Sequence, residues 1–427
     1  MSPATILFGS FVLLLLFGSP IAVALGVSAM LTFLYVGTDL SSIVQIAFNS
    51  VNSFPIMALP AFVLAGALMD CAGISKRLVH VAETMVGRVH GGLAITTTLA
   101  CVFFGAISGS GPATTAAVGM LMIPAMIKKG YDKGYAGAAT ATAGGIGIII
   151  PPSIPMVIYG ITAQQSITKM FIAGVIPGLM IAMGLILVHY LRCRGTDYSS
   201  DMEAFSLRRF LRAVKDGFWA ILAPVVILGG IYSGIFTPTE AAIVAIFYTL
   251  FVGIFIYKEI TLAGLEKSLT TTSWLTGRVL VIMFTAFAFG RILVQYRIPD
   301  MIAQGMLSLT SDVHVIFILV ILFLLFIGMF METLAVILIV TPVLLPVMTI
   351  LGVDPIHFGV ILVCCCGVGF STPPLGENMF IASGIANISL EEISWKALPF
   401  CAVTVGVIIL MAFFPQIVLW LPTVLGY

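Results

Sequence analysis

The stretch Gly144-Gly-Ile-Gly-Ile-Ile-Ile-Pro-Pro152 and its second edition, Cys366-Gly-Val-Gly-Phe-Ser-Thr-Pro-Pro374, decide how this chain folds. Glycine weakens a helix and proline has no N–H to donate, so each stretch predicts a helix interrupted in the middle of an apolar segment. In lipid, an opened main chain is tolerated only where protein or a watery cavity satisfies it. Two such breaks therefore point to a binding site.

The two editions belong to a longer repeat with a constant offset of 222 residues. It carries Pro124 to Pro346, Gly130 to Gly352, Asp132 to Asp354, Gly145 to Gly367 and Gly147 to Gly369. It also carries Pro151 and Pro152 to Pro373 and Pro374, and Pro177 to Pro399. Residues that fix backbone shape coincide while packing residues do not, which indicates a repeated architecture.

Of the 427 residues, 60% are hydrophobic and 9% charged, and the mean hydropathy is +1.18. A soluble core has no use for that much apolar surface, so the class is an all-α polytopic membrane protein. Continuous apolar runs such as Ile316 to Phe330 exclude the alternation of a membrane β-barrel. The net charge of +1 implies no nucleic-acid partner. Neither the seven cysteines nor the five histidines form a metal-site pattern, and no phosphate-binding P-loop occurs.

Taken in order, the apolar run from Ala4 to Val36 lacks the basic start of a secretory signal and is read as one long tilted helix. A polar loop from Thr38 to Asn52, a crossing from Phe54 to Cys71 and an amphipathic interfacial segment from Ser75 to His90 follow. The segment from Gly91 to Ile127 is interrupted at Gly105-Ala-Ile-Ser-Gly-Ser-Gly-Pro112 and has basic residues at both ends (Arg88; Lys128, Lys129 and Lys133). Clustered Lys and Arg mark the cytoplasmic side, so this segment is expected to be a re-entrant hairpin. The broken helix from Tyr135 to Gln164 leads outward and Met170 to Leu191 returns. The loop that follows carries Arg192, Arg194, Arg208, Arg209, Arg212 and Lys215, and is expected to be cytoplasmic.

Three further crossings, Phe218 to Phe236, Thr239 to Tyr257 and Trp274 to Gln295, would turn the second copy upside down. The charges agree, because Ile350, Leu351 and Pro355 stand where the first copy has Lys128, Lys129 and Lys133. Copy two then supplies an interfacial segment from Pro299 to Thr310, a hairpin with its tip at Met329 to Leu334, a broken helix from Ile356 to Ala386 and a last crossing from Ala397 to Leu421. The expected architecture is an inverted structural repeat with two re-entrant hairpins and two broken helices. It has a cytoplasmic N-terminus and a periplasmic C-terminus.

By the offset, the tip Ser108-Gly-Ser-Gly111 corresponds to Phe330-Met-Glu-Thr333. Two tips meeting two breaks would gather hydroxyls, carbonyls, helix N-termini and a carboxylate. Oxygen ligands suit sodium, and helix N-termini suit a carboxylate substrate. Glu332, a carboxylate inside an apolar hairpin, is a functional candidate by its position alone. Arg291 has two open readings, as partner of a substrate carboxylate or as a side chain snorkelling to the interface. Glu377-Asn378 either lines the cavity or caps the resumed helix, and Ser153 and Thr372 each offer a hydroxyl.

At these residues the sequence resembles the large membrane subunit of a tripartite ATP-independent periplasmic (TRAP) transporter, within the wider ion-transporter superfamily of inverted-repeat elevators. The most specific stretches are Gly105 to Asp132, Gly144 to Pro155 and Gly367 to Glu377. The resemblance implies no enzyme and no cofactor, with Na+ as the coupling ion. It implies sodium-binding residues Ser108, Ser110, Gly111, Gly145, Gly147, Glu332, Thr333, Gly367, Gly369 and Thr372. The substrate-binding residues it implies are Ser110, Ser153, Arg291 and Glu332. It divides the chain into fixed frame (1–90, 169–312 and 391–427) and moving parts (91–168 and 313–390). The implied setting is the bacterial inner membrane. The implied partners are a small four-helix membrane subunit, expected as a separate chain, and a soluble periplasmic binding protein. Likeness around Ser108 to Pro177 leans toward sialic acid (N-acetylneuraminate) as cargo, with C4-dicarboxylates the runner-up.

Two other classes remain at this level. An intramembrane protease needs a base beside Ser108 or Ser110, and the histidines fall at expected interfaces. A channel is also compatible with an inverted repeat.

Overall fold

A computed structural model describes residues 2–195, 204–310, 312–373 and 376–427, and these contain helices and no strand. The first apolar run is not one long helix. It is a hairpin of α1 (Pro3–Leu16) and α2 (Ile21–Val36), turned by Gly18 at φ +76° and packed back on itself. Pro20 cannot donate to the preceding turn, and Gly18 takes a left-handed conformation that an L side chain resists, so the chain reverses where a single helix was expected. Likewise the expected loop after it contains α3 (Ser41–Val51).

A 3-10 turn at Phe54–Met57 opens α4 (Ala58–Cys71), and α5 (Ile74–Met85) is the expected amphipathic arm, burying Ile74, Leu78, Val79 and Ala82 while Lys76 and His80 face out. The first helical hairpin is α6 (Gly92–Ser108) and α7 (Gly111–Lys128). The first broken helix is α8 (Lys133–Gly144), a 3-10 turn over Gly145–Ile148, and α9 (Ile154–Thr162). After α10 (Ile167–Cys193), residues 196–203 of the expected basic loop lie outside the described residues, and its remainder holds α11 (Leu207–Asp216).

Then come α12 (Phe218–Tyr232), α13 (Pro238–Phe251) and α14 (Leu262–Gln295). The last has 34 residues and begins at Leu262 instead of Trp274, because Thr261 caps it through the N–H of Gly264 at 3.1 Å. Copy two comprises α15 (Ile298–Leu309), the hairpin of α16 (Val313–Gly328) and α17 (Thr333–Ile350), the broken pair α18 (Pro355–Gly369) and α19 (Glu377–Ala386), and α20 (Leu390–Phe413). A short α21 (Gln416–Val424) ends the chain's helices. Among the described residues, six helices are long and apolar enough to cross a bilayer, or up to eight if each bent pair is one span.

The repeat holds at the level of helix ends. Shifted by the offset, Gly111–Lys128 becomes Thr333–Ile350, and the start of α8 becomes the start of α18. Both broken helices have an aspartate cap: Asp132 accepts from the N–H of Tyr135 at 2.9 Å and Asp354 from that of Ile356 at 2.7 Å. Pro124 and Pro346 lie inside α7 and α17, and Pro177 and Pro399 inside α10 and α20. Pro374, the last residue of the second motif, lies outside the described residues.

The copies run in opposite senses. Lys396, near the start of α20, reaches Asp132 at 3.4 Å, whereas His357 Nε2 is 2.9 Å from the carbonyl oxygen of Met411 near the far end of α20. The starts of α8 and α18 therefore lie at opposite ends of one helix. The N-terminal hairpin also changes the expected topology. α2 ends beside Gln295 and Tyr296 at the end of α14, and α1 folds back, so a single N-terminal crossing no longer supports a cytoplasmic N-terminus. The C-terminal Tyr427 donates to the carbonyl oxygen of Tyr232 at the end of α12, away from the ion pair of Arg77 with Glu259 (2.7 Å) that ties α5 to the start of α14.

Helices α10 and α20 pack on the broken helices. Tyr135, His189 and Thr98 form a buried chain of hydrogen bonds (2.8 and 3.1 Å) joining α8, α10 and α6, and Cys401 of α20 donates to the carbonyl oxygen of Ser371 at 3.3 Å. A second group gathers on α14, where Phe8 and Phe11 pack on Phe289 at 5.8 and 5.5 Å and α2, α3 and α4 also dock.

A Cβ on Gly145 would sit 2.8 Å from the carbonyl oxygen of Gly367, in backbone that has nowhere to move. Gly145→Ala is expected to cost about 1–3 kcal/mol and to lower the unfolding midpoint in detergent. Gly406→Ala, which meets nothing within 4 Å, should leave the midpoint level or slightly raised. Equal midpoints for the two variants would show that the close approach carries no weight.

Candidate functional site

The two opened stretches meet each other. Gly145 and Gly367 are equivalents under the repeat, and their backbones touch: a Cβ on Gly367 would lie 3.3 Å from the carbonyl oxygen of Gly145. Each break also receives the first arm of its own hairpin. A Cβ on Gly105 would lie 2.8 Å from Gly147 Cα, and one on Gly369 would lie 3.0 Å from Gly328 Cα. Glycine is required at these crossings because main chain packs on main chain.

The first tip is closed by its own hydroxyls. Thr114 Oγ1 donates to the carbonyl oxygen of Ser110 at 2.7 Å, Ser108 Oγ lies 2.9 Å from Thr114 Oγ1, and Ser110 Oγ caps α7 through the N–H of Ala113 at 3.4 Å. The N–H of Ile154 donates to the carbonyl oxygen of Gly109 at 3.2 Å, fastening the tip to the far side of the first break. Gly111 lies between Phe370 of the second break and the Gly144 carbonyl. Ser153 is fully engaged, donating to the carbonyl oxygen of Ile148 and accepting from the N–H of Met156 at 3.2 Å. It is 1% exposed, so its hydroxyl holds the break together and does not face a cavity.

The second tip carries charge. Glu332 occupies the cap position of α17 that Ser110 occupies on α7, and its carboxylate pairs with Arg278 of α14 at 2.6 Å. Arg278 also lies over the ring of Trp274, 5.5 Å from its centroid. Glu377, the first residue of α19, is close enough to interact electrostatically with both. Thr333 is buried at the start of α17, and Thr372 Oγ1 donates to the carbonyl oxygen of Val368 inside the break. Arg291, read either as a substrate partner or as a snorkelling side chain, is exposed and forms no ion pair among the described residues. Arg278 was missed although it falls four residues inside the expected crossing from Trp274 to Gln295, because nothing in the local sequence pairs it with Glu332.

Two buried oxygens belong to Asn378, which the sequence offered as a cavity or capping residue, and to Thr115, which it did not single out. Asn378 donates its amide to the carbonyl oxygen of Ala141 at 3.0 Å, and its Oδ1 has no partner among the described residues. Thr115 Oγ1 is likewise unpartnered, and both side chains abut Gly144 at the first break. Buried polar atoms are normally satisfied, so two orphan oxygens beside an opened helix form an environment fit for a hard cation. Asn378 of the second copy reaches the first across the pseudo-axis, a contact that spacing along the chain does not reveal.

A cavity of about 350 Å³ adjoins the first tip, between α4, α14 and the α6–α7 hairpin. Ser108 and Ser110 line it on one side, and Asp70, Lys267 and Thr271 on the other.

Oppositely running copies, each opened in mid-helix, met by a hairpin tip and buried in an apolar helical chain, define an inverted-repeat membrane transporter. Residues 8–417 match the family described as tripartite ATP-independent periplasmic transporter, DctM component, and the chain belongs to that family as a TRAP large membrane subunit. It is 44% identical over 97% of its length to an isethionate TRAP transporter permease protein DctMQ of Oleidesulfovibrio alaskensis, of which it spans 66%. It is 36% identical to a C4-dicarboxylate TRAP transporter large permease protein of Rhodobacter capsulatus, covering 99% of each chain. It is also 36% identical to a sialic acid TRAP transporter large permease protein of Vibrio cholerae, covering 97% of each. The fold is similar to that of the YdaH transporter of Alcanivorax borkumensis, with a TM-score of 0.66 and 16% identity over 97% of this chain and 98% of that one. These relatives are transporter permeases, so the protease alternative falls away.

Arg278 is 42% and Glu332 12% exposed, so their pairing is worth less than a fully buried one. A double-mutant cycle on Arg278→Gln and Glu332→Gln, read as thermal unfolding in detergent, is expected to give a coupling of about 1–2 kcal/mol. Strictly additive losses would mean that the pair is idle.

Proposed function

We propose that this chain imports a small organic anion across the bacterial inner membrane, driven by sodium, receiving its cargo from a periplasmic binding protein and working with a small membrane subunit. The observation that carries this reading is the meeting of Gly145 with Gly367, which sets two opened backbones and two hairpin tips around one point. In this reading the hairpins are re-entrant and their tips lie at mid-bilayer depth. The basic face of α5 and α11 is cytoplasmic, which puts both termini in the periplasm. The moving body comprises α6–α10 and α16–α20, sliding as an elevator against α1–α4 and α12–α14.

Sodium is held near the first break by Thr115 and Asn378 with carbonyl oxygens of the opened segment, and near the second by groups around Glu332, Thr333 and Thr372. The anion binds between the tips, near Ser110. The similar permeases are named for a sulfonate, a dicarboxylate and a sialic acid, and their shared chemistry is an anionic oxygen head group. That class is proposed here, with N-acetylneuraminate as one member of it.

Proteoliposomes holding the chain with its small subunit and binding protein are expected to accumulate cargo only under an inward sodium gradient. Uptake that persists without sodium would refute the coupling. Thr115→Val, which removes one orphan oxygen and keeps the volume, is expected to raise the sodium concentration for half-maximal uptake about tenfold. An unchanged sodium curve would remove Thr115 from the site.

A further inference from the structure

The cavity beside the first tip has a polar frame wall that the hairpin-tip site does not account for. Among its lining residues Lys267 is the one cation and Asp70 the one anion. Asp70 is occupied, accepting from Ser75 Oγ at 2.9 Å, whereas Lys267 makes no ion pair among the described residues. Thr271 stands four residues after Lys267 on α14, so both side chains share one face of that helix, and both line the cavity. The Thr271 hydroxyl has no hydrogen-bond partner among the described residues, unlike Ser268, which donates to the carbonyl oxygen of Gly264 at 2.9 Å. The opposite wall, from α7, is Ser110 followed by Ala113, Ala117 and Met120.

We propose that this cavity is a frame-borne anion subsite, in which the Lys267 ammonium and the Thr271 hydroxyl hold the carboxylate or sulfonate of a small organic anion. The anion's apolar portion lies along Ala113, Ala117 and Met120. The inference rests on the reading that the chain carries an organic anion, and adds that part of the binding surface belongs to the frame. The chemistry of the walls supports it: an exposed ammonium without an ion pair and an exposed hydroxyl without a hydrogen bond among the described residues line a space of about 350 Å³, the size of a small-molecule pocket. Because Lys267 stays with α14 while Ser110 belongs to the hairpin, cargo touching both is handed from moving body to frame.

Cys71 supplies a built-in probe. It lines the cavity and is partly exposed, whereas the other six cysteines are buried. Buried thiols react poorly, so thiol reagents applied to membranes containing the full transporter should label Cys71, as mass spectrometry and a Cys71→Ser control will read. Labelling rates are compared for an anionic sulfonatoethyl and a cationic trimethylammonioethyl methanethiosulfonate, each normalised to its rate on a free thiol in solution. Lys267→Gln is expected to lower the anionic-to-cationic ratio about fivefold, and Lys267→Arg to keep it. Isethionate, succinate or N-acetylneuraminate at millimolar concentration is expected to slow labelling by neutral N-ethylmaleimide in wild type and to protect less in Lys267→Gln. A ratio unchanged in the Gln variant, or protection by none of the three anions, would overturn the subsite. Labelling does not require transport, so absent sodium-driven uptake would count against the proposed function and leave this result standing.

Discussion

A main chain opened inside an apolar interior must find partners for the groups it exposes, and the architecture follows from how this chain meets that demand. The first break is not satisfied by local bonds alone. The carbonyl oxygen of Ala141, at the end of α8, receives Ser371 Oγ and Asn378 Nδ2, both at 3.0 Å and both from the second copy. The N–H of Ile154 goes to the first hairpin tip. These bonds add to the local ones that Ser153 makes with Ile148 and Met156. The contact of Gly145 with Gly367, where two equivalent residues touch, is the pseudo-axis on which the copies depend.

The backbone obeys this symmetry and the chemistry departs from it. Ser110 and Glu332 are equivalents with the same cap position, yet one turns its hydroxyl onto its own helix and the other extends a carboxylate to Arg278 on a different body. Thr115 has an isoleucine, Ile337, as its equivalent, so the orphan oxygens at the first break have no mirror image at the second. Proline, glycine and the capping aspartates fix where helices open. The side chains placed on that frame differ because each copy packs against different neighbours.

Much of this was legible because the deciding residues act through the backbone. Paired prolines, spaced glycines and capping aspartates dictate conformation wherever they stand, so the repeat, the hairpins and the broken helices could be read without tertiary knowledge. Gly18 and Pro20 carried the same information about the first run, but the length of Ala4 to Val36 was given more weight than its break. The site's partners were less accessible. Arg278 meets Glu332 across 54 residues of sequence, and Asn378 meets Ala141 across 237. Such pairs are products of packing, and no local pattern announces them. Arg291 had two open readings from its place in the apolar part of α14, and it is exposed in the structure.

The boundary between the two packed groups suits sliding. Where α4 meets the first hairpin, Gly66 lies against the backbone of Ser108, with a Cβ there only 3.3 Å from Ser108 Cα, and Ala67, Ala113, Ala116 and Ala117 face the cavity. Small residues leave few knobs to catch in holes, so a shift along this surface breaks little packing. Polar contacts are unevenly distributed along it. The cavity follows α14 from Gly264 to Leu275, and one turn farther on the ion pair of Arg278 and Glu332 joins the frame to the second tip. This surface is therefore loose along the first hairpin and charge-paired at the second. In the sliding motion proposed above, Glu332 would have to exchange its partner, and a cation beside Glu332 and Glu377 would supply that exchange, because it offers the carboxylates positive charge without tying them to α14.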